Sequence, residues 1–388
     1  MNILFFCVRP VVATDGGVSR ITDSLVKVFR DHGHNVFILS AKKNASDNVD
    51  KNQYYLPNCF YDLNCLSETL LLCKRNKIDL IINQSSMDKS AVLFFAKLRK
   101  NYFVKFFSCI HNCTETPILN YAYQKEFGLR KKRMAFVFYI LKNNWIKKIL
   151  RFFYILKYRK LYTMVAESSD RVLVLNDKLV KEFQIFIPEK YHSKISVVPN
   201  CLPIRDWFSQ TNKEKILLWV GRLDVSVKRI DLMLNIWKKI YKDNLEWKLF
   251  VLGDGPYFDF AKKFAKDNGL KNIFFEGRVN PYPYYEKASL LALTSTHESF
   301  SLVTLEALQH KVVPIIMNTF PFASSLIKNA ENGLLVNDFT CESMATSIDL
   351  LMKNDELRCR MSEKGPLSAL SFSPESVYCK YWAHLLGE

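Results

Sequence analysis

A strand, a glycine-bearing loop, a helix and a second strand open this chain in that order, and the same rhythm restarts after residue 203. Asn2 to Val8 is a short apolar run, and a loop carrying Gly16-Gly17 follows it. Val18 to Phe29 then sets Ile21, Leu25, Val28 and Phe29 on one side of a helix. His34 to Ser40 reads as a second buried strand. Parallel strands need a connection long enough to hold a helix, so this alternation predicts a parallel sheet with helices on both faces. Asp79 to Asn83, Val104 to Ile110, Arg171 to Leu175 and Ile195 to Val198 continue the series.

The proline-bounded run Val198-Pro199-Asn200-Cys201-Leu202-Pro203 interrupts it, and a polar stretch follows at Ser209 to Lys215. Five further strands are then expected: Ile216 to Val220, Lys248 to Leu252, Ile273 to Glu276, Leu290 to Thr294 and Val313 to Met317. A chain of 388 residues exceeds one typical domain. The boundary is expected near Pro203, giving an α/β domain over 1–203 and a second over 204–370. Two such domains would form a cleft between the carboxyl ends of their sheets, where these folds take ligands.

The formal net charge of +17 calls for an anionic partner: a membrane surface, a nucleic acid or a phosphorylated substrate. Much of the excess lies in an insert at about 128–162. Between Phe127 and Ala166 there is no acidic residue, and eleven lysines and arginines alternate with aromatics such as Phe136, Tyr139, Trp145 and Phe152. Cations for head groups beside aromatics for the acyl boundary predict an anionic membrane surface as partner. An amphipathic helix packed on the first domain is the plain alternative, and nucleic-acid contact a third. No apolar run approaches the ~20 residues that span a bilayer. The N-terminus lacks the basic start of a signal peptide, and the ten cysteines show no CxxC pair and no zinc-ligand spacing. A cytoplasmic protein, peripheral on the inner face of the cell membrane, is expected.

The residues able to carry chemistry concentrate in the second half. Glu298 falls in the loop after the strand Leu290 to Thr294, and Glu306 lies eight residues on, inside the helix that Leu302 opens. The amides of Ser299, Phe300, Ser301 and Leu302 sit at that helix start, a natural place for phosphate. Two carboxylates at this spacing are by themselves a weak signal. Arg222, in Gly221-Arg222-Leu223 at a strand end, and Lys228 could hold a leaving diphosphate, although isolated surface cations would look the same. Gly253-Asp254-Gly255-Pro256 reads as a tight turn. In the first half, Gly16 and Gly17 would let backbone approach a ligand, or simply turn the chain. His111, closing the apolar run Phe106 to Ile110, could serve as donor or general acid/base, or be structural.

In order and spacing these motifs resemble the family 4 retaining glycosyltransferases, group 1 glycosyl transferases of the GT-B fold. The resemblance spans nearly the whole chain and is sharpest over Val220 to Leu335. It rests on Gly221-Arg222-Leu223 with Lys228, Gly253 to Pro256, Glu298 through Glu306-Ala307, and Gly333-Leu334-Leu335-Val336. Gly16-Gly17, Cys109-Ile110-His111-Asn112 and Val197-Val198-Pro199-Asn200 add to it. It implies two Rossmann-like domains and a nucleotide diphosphate sugar as donor. Arg222 and Lys228 would hold the diphosphate, with Gly17 beside it, and Glu306 the ribose. Glu298 with the amides of Phe300 and Ser301 would meet the sugar and its phosphate, and His111 the transferred carbon. It also implies no metal, in keeping with the lack of any Asp-x-Asp motif, and a final helix over 371–388 returning to the first domain. The departures are Ser299 where the family commonly has Gly, Lys311 after Glu-Ala, and Arg229 after Lys228, which leaves the second diphosphate cation open between Lys228 and Arg229.

The function expected is transfer of a sugar to a glycan or lipid-linked glycan in surface polysaccharide biosynthesis. The alternatives are a nucleotide-sugar epimerase on the same scaffold and a non-catalytic membrane or nucleic-acid binding protein; no nucleic-acid partner is expected for the enzyme.

Overall fold

The computed structural model describes residues 1–12, 16–42, 52–56, 62–202 and 212–388. The boundary expected at Pro203 falls among residues outside that set. Seven strands make the first sheet: β1 (Asn2–Cys7), β2 (Asn35–Ser40), β3 (Gln53–Tyr55), β4 (Leu80–Asn83), β5 (Lys105–Ile110), β6 (Arg171–Val174) and β7 (Ile195–Val197). They lie in the order β3-β2-β1-β4-β5-β6-β7, and every neighbouring pair is parallel. Six strands make the second sheet: β8 (Glu214–Val220), β9 (Lys248–Leu252), β10 (Ile273–Gly277), β11 (Ala288–Leu293), β12 (Val313–Met317) and β13 (Leu334–Val336). Their order is β10-β9-β8-β11-β12-β13, again all parallel.

Counted within its own domain, the second sheet reads 3-2-1-4-5-6, the doubly wound Rossmann arrangement, and the first reads the same with a seventh strand at its edge. In such a sheet ligands bind beyond the carboxyl ends of the strands where the order reverses. The reversal lies between β1 and β4 in the first sheet and between β8 and β11 in the second. The strands read as continuous apolar runs because helices cover both faces: every residue of β4, β11 and β12 is buried.

The chain divides into two compact units. One comprises Met1–Thr114, Phe152–Pro203 and Phe372–Glu388; the other comprises Glu115–Arg151 and Ile204–Ser371. In the first, the helix Gly17–Asp31 buries Ile21, Leu25, Val28 and Phe29. Phe29 meets Phe5 edge-on at 5.5 Å, and Tyr378 and Trp382 of the C-terminal segment at 5.1 Å each. In the second, Trp219, Trp237 and Trp247 are almost wholly buried in one apolar cluster.

The basic insert is not a single helix. It forms helices at Tyr121–Lys131, Ala135–Lys142 and Asn144–Ser168. The apolar run Met134 to Leu141 supplies most of the middle one, and no described helix is long and apolar enough to cross a membrane.

Candidate active site

The order reversal of the second sheet gathers the residues singled out from the sequence. Strand β8 ends at Val220, and the chain turns through Gly221-Arg222-Leu223. That turn is held by the glycine-rich segment after β9. Leu223 N donates to Asp254 O at 3.0 Å, and Tyr257 N to Leu223 O at 3.1 Å. Gly253 has φ 135°, and a Cβ there would stand 1.9 Å from Gly221 O. Gly255 is equally confined, 2.6 Å from Leu223 O. Gly253 to Pro256 thus does more than turn the chain, because its glycines let two backbone segments touch.

From Leu223 the loop runs to Lys228 around one carboxylate. Asp224 Oδ1 accepts from the amides of Ser226, Val227 and Lys228 at 3.0, 2.6 and 3.1 Å. The loop after β11 is tied to it. Thr294 Oγ1 donates to Lys228 O at 2.8 Å and accepts from Trp219 Nε1 at 3.0 Å. Thr296 N donates to Val227 O at 2.7 Å, and its hydroxyl to Ser226 O at 2.9 Å. Asn120 closes the same loop, with Nδ2 donating to Thr296 O at 2.7 Å and Thr319 O at 2.8 Å. Asp224, Thr294, Thr296 and Asn120 were not singled out from the sequence. Only Asp224, an Asx-turn former just after a Gly-Arg-Leu corner, offered a local signal.

The result brings Lys228 and Glu298, 70 residues apart, into a direct ion pair. Both side chains are mostly buried, at 21% and 13% exposure. Ser295 Oγ also donates to Glu298 at 2.7 Å. The Lys228 stem passes Gly221, its Cδ 3.4 Å from where a Cβ would stand. Arg222, the next residue, is exposed and lines a hollow of about 350 Å³ with Asp224, Ser226, Val227 and Tyr257.

Arg229 points elsewhere. It is 3% exposed, in the left-handed region at φ 56°, and pairs with Asp231 at 3.0 Å and Glu126 at 3.2 Å. These carboxylates raise its pKa against the effect of burial. Of the two adjacent cations, Lys228 is therefore the one at the loop ends.

Glu306 is the fifth residue of the helix Leu302–Gln309 and is buried. Its Oε2 accepts from the Tyr285 hydroxyl at 3.0 Å. Ser299 and Phe300 precede the helix, and Phe300 stacks on Phe322 at 4.4 Å. Ser301 caps it with φ 60° and ψ 72°, its hydroxyl 2.8 Å from that of Thr304.

In the first unit, Gly16 caps the helix Gly17–Asp31 with φ 26°. Gly16, Gly17 and Ser19 line a hollow of about 370 Å³ together with Val8, Arg9 and Gln84, at the order reversal of that sheet. Gln84 Oε1 accepts from His111 Nε2 at 2.5 Å. Burial pulls the His111 imidazole down to about 4, opposed by a side-chain hydrogen bond with Asn200. His111 is thus neutral at pH 7. It can donate or orient, but a group with that pKa is a poor general acid.

Two parallel Rossmann sheets, each presenting its strand-end loops at an order reversal, define a protein of the GT-B class, and solved structures agree. Anabaena HepE, solved with UDP and glucose, superposes with a TM-score of 0.74 over 100% of this chain and 99% of that one, at 14% identity. Residues 204–367 match the family model "Glycosyl transferases group 1". An uncharacterized glycosyltransferase of Haemophilus influenzae is 31% identical over 219 residues, 55% of this chain and 60% of that protein. The N-acetylgalactosamine-N,N'-diacetylbacillosaminyl-diphospho-undecaprenol 4-alpha-N-acetylgalactosaminyltransferase of Campylobacter jejuni is 26% identical over 254 residues, 64% of this chain and 66% of that protein. The chain thus covers less than two thirds of either relative's length.

Proposed function

We propose that this chain is a retaining glycosyltransferase that moves a sugar from a nucleotide diphosphate sugar to a glycan or lipid-linked glycan, in surface polysaccharide biosynthesis. The observation that carries the reading is the meeting of Lys228 and Glu298 beside Gly221-Arg222, at the one place in the second sheet where the topology favours a ligand. Bond cleavage at the sugar carbon throws negative charge onto the departing diphosphate, and fixed cations lower that barrier most when already in place. Arg222 and Lys228 supply them, Lys228 exchanging its Glu298 contact for phosphate. Glu298, released, faces the sugar hydroxyls. Glu306 orients the ribose through the carboxylate that Tyr285 steadies. The amides at Ser299 to Leu302 receive phosphate at a helix start.

Attack comes from the face the diphosphate leaves, so the anomeric configuration is kept. The leaving diphosphate takes the acceptor proton, which suits a neutral His111 that positions instead of titrating. With two cations in place, no metal is required. The printed name of the Campylobacter relative, a transferase acting on a diphospho-undecaprenol glycan, supports a lipid-linked acceptor. The exposed Phe136, Tyr139 and Trp145 among insert lysines support an anionic membrane surface as partner, and a peripheral place on the inner face of the membrane.

The test is a thermal-shift panel of UDP-, GDP- and ADP-sugars, followed by anomeric analysis of the product formed with EDTA present. One nucleotide sugar should raise the melting temperature, since a ligand that binds only the folded state stabilises it. An inverted product, a metal requirement, or epimerised nucleotide sugar formed without acceptor would refute the reading.

A further inference from the structure

A hollow of about 1020 Å³ lies entirely within the second unit, where the helices Tyr121–Lys131 and Ala135–Lys142 of the insert stand against the helices Ile230–Ile240 and Phe258–Asp267. It shares no lining residue with the hollow at Arg222. Its wall is aromatic: Phe127 meets Phe260 edge-on at 5.3 Å, and Tyr123 meets Phe339 at 4.5 Å. Its charge is unbalanced, with six lysines and arginines lining it against three carboxylates. Each carboxylate is already engaged. Glu126 pairs with Arg130 and Arg229, Asp231 with Arg229, and Glu342 with Lys239. Lys131, Lys142 and Lys238 have no carboxylate in salt-bridge reach among the described residues; Lys142 instead lies over the rings of Tyr123 and Phe138 at 5.3 and 5.4 Å.

An aromatic trough with surplus cations suits a ligand that is apolar along its length and anionic at one end. The trough also runs into the exposed face of the insert. Tyr139 lines it and is 68% exposed, next to Ile140 and near Phe136. We propose that this trough binds a single phosphate-bearing amphiphile, its chain against Phe127, Phe260 and Phe264 and its phosphate on Lys131 and Lys142. The occupant is a membrane phospholipid or the isoprenyl phosphate end of a lipid-linked glycan, which share that chemistry. The proposal extends the membrane part of the functional reading and does not depend on sugar transfer.

The probes are farnesyl diphosphate and dihexanoyl phosphatidylglycerol, titrated calorimetrically below the concentrations at which they form micelles. Dihexanoyl phosphatidylcholine and inorganic diphosphate serve as controls. At least one anionic amphiphile should bind, and both controls should be weaker by about tenfold or more, the worth of one charge-assisted contact or a buried chain segment. Binding of farnesyl diphosphate alone identifies an isoprenyl phosphate; binding of the phosphatidylglycerol alone identifies a bilayer lipid. The double variant Lys131→Glu/Lys142→Glu, changed at exposed positions, should lose about tenfold in affinity with an unchanged melting temperature, while Lys147→Glu/Lys148→Glu, outside the trough, should change it less than about twofold. The titration is repeated in Arg222→Ala. Retained binding there keeps the trough separate from the donor site, and loss there overturns the proposal. It is equally overturned if neither amphiphile binds, if diphosphate binds as well as farnesyl diphosphate, or if the Lys131/Lys142 variant binds normally.

Discussion

The helices that start at Gly17 and at Leu302 both follow a strand at the order reversal of their sheet, yet they are built from opposite materials. The first is capped by Gly16 at φ 26°, with no atom of the described residues, its chain neighbours aside, within 4 Å of where a Cβ would stand. Ser19 braces it, its hydroxyl accepting from Val12 N at 2.6 Å and donating to Val12 O at 2.8 Å. The second is capped by buried Ser301, held at φ 60° where an L-residue is disfavoured. Around it the side chains of Asp224, Thr294, Thr296 and Asn120 fasten one loop to the next. One domain opens its helix on a glycine, and the other on side-chain bonds that fix two loops before any ligand arrives. Fixing charge in advance matters most where a diphosphate must be stabilised, and the donor is proposed to bind at the second domain on that ground.

Substitutions can break or sharpen this contrast. The largest effect is expected at Gly253, where alanine would collide with Gly221 O. Gly253→Ala should lose more than about 4 kcal/mol and fail to give a cooperative thermal transition, whereas Gly16→Ala, with only its positive φ against it among the described residues, should lose only about 1 kcal/mol. Comparable losses at both sites would mean that the two loops are not built differently.

Next comes Arg222→Ala. It should lower kcat/KM by about a hundredfold to a thousandfold, the cost of one fixed donor to developing charge. Because Arg222 is exposed, its melting temperature should not move. Glu306→Ala should act differently, losing about 1–3 kcal/mol of stability as well, since the Tyr285 hydroxyl is left buried without its acceptor. Glu306→Gln should recover the stability and not the activity. Full activity in Arg222→Ala would remove the assigned site.

His111 gives a pH-dependent effect in the first domain. Its folded pKa is about 4 against an ordinary 6.5. The unfolded chain therefore takes up the proton first as pH falls. His111 costs nothing above about pH 7, and the penalty grows below 6.5 to about 2 kcal/mol by pH 5. Urea unfolding of His111→Gln should lose correspondingly less stability between pH 7 and pH 5 than the parent. Identical acid sensitivity would show an imidazole that titrates normally.

The smallest effect tests Ser301. Alanine keeps the left-handed strain and loses the Thr304 contact; glycine loses the contact and relieves the strain. Ser301→Gly should therefore be more stable than Ser301→Ala by about 1 kcal/mol in chemical denaturation. The reverse order would remove the strain argument.

Most strands were legible because strands buried on both faces are written as uninterrupted apolar runs, as at Leu290 to Leu293 or Val313 to Met317. Strand β3 was not. Its three residues, Gln53–Tyr55, carry no apolar run and pair with β2 alone among the described residues. In the site, Arg222, Lys228, Glu298 and Glu306 could be named because each follows a strand or opens a helix at a recognisable spacing. The fastening residues could not, since Asn120 and Thr296 are 176 positions apart and their bond leaves no periodic trace. Likewise invisible was the pairing of the two adjacent cations, Lys228 with Glu298 and Arg229 with Glu126 and Asp231.

The Arg229 pairing has a mechanical consequence. Arg229 is joined by a peptide bond to Lys228 and by a buried ion pair to Glu126 on the helix Tyr121–Lys131. Its guanidinium also donates to the Tyr123 carbonyl of that helix at 3.0 Å. Withdrawing the helix would take away the Glu126 carboxylate and the Tyr123 carbonyl and leave the buried guanidinium with Asp231 alone. The helix and the Lys228 loop thus share one fastening: the residue next to Lys228 is held by the insert's first helix.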